Sequence, residues 1–140
     1  MIVLNFIIIF IMLILIDIPM ITIINKKMYQ DAFFKINKTG ISTGYLGIIT
    51  GIICYLLLAF GIYYFIVSPE INNNTMIQVS YNVFIKGFLL GLVVYGVYNT
   101  TNKATINNYS TLVTIADTMW GSILMGSISI FTLFIIKKLK

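Results

Sequence analysis

Histidine and arginine are absent, cysteine occurs once (Cys54), proline twice, and charged residues make up only 9% of the 140 residues. Without histidine there is no imidazole general base, and the usual zinc sites and Cys–His nucleophiles are excluded. A lone cysteine excludes an intrachain disulfide. Soluble domains carry about 25% charged residues, and nine lysines with four acids cannot cover a water-facing surface on this chain. What fills it instead is apolar: 59% hydrophobic residues and a mean hydropathy of +1.00. The expected solvent is therefore a bilayer, and the length suits one integral membrane domain over residues 1–140. The net charge of +5 is all lysine. The lysines stand at the ends of apolar runs, which points to anionic lipid headgroups and away from nucleic acid.

Crossing a hydrocarbon core of about 30 Å takes roughly 20 mainly apolar residues in a helix. Four stretches reach that length, at about 2–24, 44–67, 79–99 and 111–136. Lipid-facing irregular backbone would leave amides unpaired, so each stretch is predicted helical. The first has no basic residue before Lys26 and too long an apolar run for a signal peptide, and reads as a retained anchor. Between the first two spans, Met28, Tyr29, Ala32, Phe33 and Ile36 share one side of a helical wheel, with Lys27, Asp31, Lys35 and Lys38 opposite. That pattern predicts an amphipathic helix lying in the headgroup boundary. The second connection, 68–75, holds Pro69 and three asparagines and reads as a tight turn. The third, 100–110, is polar with one charge. The fold class is thus all-α: a four-helix transmembrane bundle with a short interfacial amphipathic helix between spans one and two.

Four spans place both termini and the second connection on one side (A) and the first and third connections on the other (B). The early cluster Lys26, Lys27, Lys35 and Lys38 favours side B as cytoplasmic, against the pull of Lys137, Lys138 and Lys140 on side A.

Charges within spans are costly, about 2.5–3.5 kcal/mol for an aspartate at a helix centre, and so mark function or locking. At about 1.5 Å per residue, Asp17 lies roughly 10 Å below side B and Asp117 roughly 9 Å below it, although their helices run in opposite directions. The third span delivers Tyr95, Tyr98, Asn99, Thr101 and Asn102 to the same side. A polar site is therefore expected from Asp17, Asn99, Asn102 and Asp117, lined by Tyr95, Tyr98, Thr101 and Trp120. Lys86 stands apart, near side A, and is expected to snorkel to that interface. Pro19 removes one helical amide and frees the Leu15 carbonyl near Asp17. Gly47 and Gly51, Gly87 and Gly91, and Gly121 with Gly126 mark close helix approach. Trp120 and Tyr109 are placed as interface anchors.

The segment YGVYNTTNKAT (95–105), followed by DTMWG (117–121), resembles a family of small four-span membrane proteins of bacteria and some large DNA viruses, a domain of unknown function. Its members show an aspartate late in the first span, Y-G-x-Y-D-x-T-N-x-A closing the third, and D-x-x-W-G in the fourth. The matching positions are Asp17; Tyr95, Gly96, Tyr98, Thr101, Asn102 and Ala104; and Asp117, Trp120 and Gly121. Asn99 replaces the usual aspartate, and Met20 stands where a tryptophan commonly follows. The resemblance implies the four-span architecture and the site, and carries no reaction.

Three uses of the aspartates stay open. They can lock helices by hydrogen bonds to Asn99, Thr100, Tyr98 or freed backbone. They can form an ion, proton or small-molecule site. They can act as a hydrolytic pair, which needs a water between them. A binding or transport role in the membrane is expected ahead of a structural membrane component, for example of a viral membrane, and ahead of an enzyme. No cofactor and no metal site is expected. The expected partners are the bilayer and its anionic headgroups, with a homo-oligomer left open.

Overall fold

The structure, a computed structural model, describes residues 2–41, 44–72 and 76–138, with the side chains of 76–79 outside the description. Among these residues there is no strand, and four helices are long and apolar enough to cross a membrane: Ile2–Ile24, Tyr45–Glu70, Ser80–Thr105 and Thr111–Lys138.

Helix α1 (Ile2–Pro19) continues as a π-helical turn, Met20–Ile24. Proline lacks the amide that an α-turn needs, and the wider turn after Pro19 keeps the backbone paired, with Asn25 N donating to Met20 O at 2.9 Å. Helix α2 (Lys26–Asn37) ends where Lys38 takes a left-handed conformation (φ 63°) and its amide returns to Phe34 O. The Asn37 carboxamide accepts from the amides of Thr39 and Gly40 and donates to the Gly40 carbonyl. This closes the chain reversal before α3 (Tyr45–Ile62).

Helix α3 runs on through a second π turn, Tyr63–Val67, into a short helical turn α4 (Ser68–Glu70). Ser68–Glu70 therefore belongs to the second span and not to the expected turn: the backbone stays helical through the π turn and past Pro69, which lacks an amide to donate. Asn73, Asn74 and Thr75 of that connection lie outside the described residues. Helix α5 (Met76–Thr105) exceeds its expected end at 99 by nearly two turns. Thr100 and Thr105 return their hydroxyls to the carbonyls of Gly96 and Thr101 at 2.6 and 2.8 Å, so the polar side chains that read as loop are satisfied within the helix itself. The third connection shrinks to Ile106–Ser110, and Ser110 Oγ accepts from the Val113 amide as α6 (Thr111–Lys138) begins.

Helices α5 and α6 form the tightest pair. A Cβ on Gly87 would come within 2.8 Å of Gly126 Cα, and one on Gly91 within 2.6 Å of Gly121 O. Only glycine permits that approach. Gly51 differs: a Cβ there meets nothing within 4 Å, so it does not mark a helix contact. Helix α6 is the most buried, and the core gathers Ile9 and Leu13 of α1, Ala59 and Ile62 of α3, and Leu124, Met125 and Ile128 of α6 around it. Helices α3 and α5 touch only sparingly.

The amphipathic helix is present, but its apolar side faces protein. Tyr29 and Ala32 are buried with Tyr109 and Val113, and Met28, Phe33 and Ile36 pack around them. Lys27, Asp31, Lys35 and Lys38 are exposed as expected. Tyr29 on this side carries a hydroxyl that finds its partner, Asp117, inside the bundle.

Candidate functional site

Asp17 and Asp117 are 4% and 8% exposed, and both line one cavity of about 340 Å³ in the side-B half of the bundle. The level inferred from residue rise alone thus brings them to a common space. Their oxygens are occupied in pairs. Asp17 accepts from Tyr55 Oη at 3.0 Å and from Trp120 Nε1 at 2.8 Å. Asp117 accepts from Tyr29 Oη at 2.6 Å and from Asn99 Nδ2 at 2.7 Å. All four donors are neutral side chains, and they come from α2, α3, α5 and α6.

Asn99, fully buried, is the bridge. Its Nδ2 donates to Asp117 and, at 3.0 Å, to the Tyr95 carbonyl, while its Oδ1 accepts from Tyr109 Oη at 2.9 Å. An ionised carboxylate at this position has no proton to give Asp117 and would face it as a like charge. The amide is therefore the residue that lets Tyr109, Asn99, Asp117 and Tyr29 form one continuous chain of bonds.

The other expected site residues are sorted by exposure. Tyr95 lines the cavity and packs its ring on Gly121, whose absent side chain makes the room. Tyr98 lines the cavity's rim while 54% exposed. Asn102 is half-buried and hydrogen-bonded to Tyr109 rather than to an aspartate. Thr101 is exposed, two residues and therefore more than half a helical turn away from the Asn99 direction. Thr100 bonds its own helix, so of the partners expected for the aspartates only Asn99 serves.

Three tyrosines complete the site without having been assigned to it: Tyr29, Tyr55 and Tyr109. Tyr109 is 3% exposed and so is not an interface anchor, and Trp120 turns its indole inward to Asp17. Burial first, and the bond to Asp117 second, hold the Tyr29 phenol above its ordinary range. Burial also raises Tyr109, opposed by its bond to Asn102. Both phenols thus remain donors. Lys103 Nζ holds the Tyr109 carbonyl at 2.6 Å and fixes the loop that carries that ring.

Lys86, expected to snorkel alone, is half-exposed and pairs with the largely buried Glu70 at 2.6 Å. The helical turn Ser68–Glu70 holds that acid alongside Lys86 of α5. Among the described residues no three His, Cys, Asp or Glu converge to hold a metal ion.

No curated protein and no solved structure matches this chain. One family model does, over residues 2–134, with the description "Predicted membrane protein (DUF2177)". Four spanning helices and a match over nearly the whole length agree, and the chain is an integral, multi-pass member of that membrane protein family.

Proposed function

We propose that the protein binds a small cationic molecule in the side-B half of the membrane, between Asp17 and Asp117. One observation carries this reading: two buried carboxylates share an apolar cavity, and every donor to them among the described residues is neutral. Neutral donors solvate a carboxylate without balancing its charge, which in low dielectric leaves a strong attraction for a cation. Tyrosine rings at 29, 55, 95, 98 and 109 line the same cavity and suit an ammonium or amidinium group through their faces. The cavity volume lies in the range of small-molecule sites. Occupied carboxylate oxygens favour binding over hydrolysis, which needs a water held between the pair.

A second reading draws on the same bonds. No buried side-chain nitrogen or oxygen among the described residues lacks a partner, so the network also serves as a helix lock. Trp120, the single tryptophan, separates the two because its indole donates to Asp17. Titrating phenethylamine into protein held in phosphatidylcholine nanodiscs is expected to change Trp120 emission saturably, and Asp17→Asn to abolish the change while the protein stays folded. An emission that does not saturate, or that is the same in wild type and Asp17→Asn, leaves only the lock.

A further inference from the structure

A second hollow, of about 470 Å³, lies between α3 and α5 and shares Cys54, Leu58 and Val94 with the carboxylate cavity. The two therefore adjoin. Resting on the small-cation reading above, we propose that the natural ligand is a single-chain lipid with a cationic head: the head seats between Asp17 and Asp117, and the chain lies in this groove.

The groove is apolar apart from Thr50, whose hydroxyl is already bonded to the Leu46 carbonyl at 2.9 Å. It exists because α3 and α5 scarcely pack, and it ends toward side A at Gly61, Phe65 and Leu90. From Gly51 at the cavity to Phe65 at the far end is about 21 Å of helix rise. That exceeds the depth of one leaflet's hydrocarbon, about 15 Å, so an extended lipid chain fits lengthwise. Ile53, Leu57 and Phe60, all exposed, leave the groove open along its side, so a chain can enter from the bilayer without crossing water. Charge selects the head. Two carboxylates with neutral donors attract an ammonium and repel a carboxylate or phosphate, which argues for a long-chain amine over a fatty acid or a phospholipid. Gly61 keeps the far part of the groove clear: a Cβ there would already stand 3.6 Å from Leu90, and a larger side chain would occupy the space.

Cys54, the one cysteine, sits at the junction and reports occupancy through its rate of alkylation by N-ethylmaleimide. In phosphatidylcholine nanodiscs, hexadecylamine is expected to slow alkylation about tenfold when present at ten times its dissociation constant. Hexadecanol and hexadecanoate at the same membrane mole fraction are expected to leave the rate unchanged. Protection should rise from octylamine to hexadecylamine in the wild-type protein, a comparison that needs no variant. Gly61→Leu should remove protection by hexadecylamine while Trp120 still responds to phenethylamine. Equal protection by amine and alcohol, or no gain with chain length, in protein whose Trp120 responds to phenethylamine, overturns the lipid proposal and leaves the small-cation reading standing. No effect of either amine on either reporter overturns both.

Discussion

The Tyr29 hydroxyl joins the α2 helix to the bundle through a single bond of 2.6 Å to Asp117. Tyr29→Phe keeps the ring and its packing on Tyr109 and Val113 and removes only that donor. Intramembrane hydrogen bonds are worth about 0.6–1.7 kcal/mol, and a loss of that size in unfolding free energy in detergent is expected. The pH dependence follows from the raised Tyr29 phenol. Below pH about 10 both folded and unfolded chains keep the proton, and the bond's contribution is constant. Above it the unfolded chain releases the proton while the folded chain retains it, so stability falls as pH rises. Tyr29→Phe should show a shallower alkaline decline than wild type. Equal declines would mean that Tyr29 ionises as readily in the fold as outside it.

Between elements, glycine position decides what a methyl group costs. Gly121 faces the Tyr95 ring with no room for a Cβ, whereas Gly51 faces open space. Gly121→Ala is therefore expected to cost about 1–3 kcal/mol through overpacking, and Gly51→Ala to leave the unfolding temperature in detergent unchanged or raised. The reverse ranking would place the tight helix pair elsewhere. The sequence spacing of glycines did not distinguish these two, because Gly-x-x-x-Gly says that a close approach is possible and not which helix fills it. Apolar run length, by contrast, located all four spans, since nothing but a helix satisfies backbone in lipid. The two aspartates were legible for a similar reason: depth follows from residue rise. The donors were not. Tyr29, Tyr55 and Tyr109 are amphipathic side chains that suit an interface as well as an interior, and only the packing of α2 and of the Tyr109 loop decides between those. Asn99 was legible as a polar residue near the level of the aspartates, but its bridging position needs Tyr109 in place.

Over the whole molecule, an even number of crossings puts both ends on one side. In a Cys54→Ser background, single cysteines at Lys38 and Asn107 should react with an impermeant maleimide from one face of the membrane, and cysteines at Asn72 and Lys138 from the other. Labelling of Lys138 together with Lys38 would show an odd number of crossings. The same experiment in cells fixes which face is cytoplasmic, a matter on which the lysines of the two sides disagree.

The bond between Trp120 and Asp17 spans 103 positions of sequence. During synthesis the first helix emerges long before its indole donor exists, so its acid must enter the bilayer without it. Seventeen Ile, Leu, Val and Phe residues in Ile2–Ile24 make that feasible. At about 0.3–0.6 kcal/mol each on insertion scales, they outweigh one aspartate at about 2.5–3.5 kcal/mol. The unusual oiliness of α1 is thus matched to its acid: it holds an unfinished charge in the membrane until the last helix arrives to complete it.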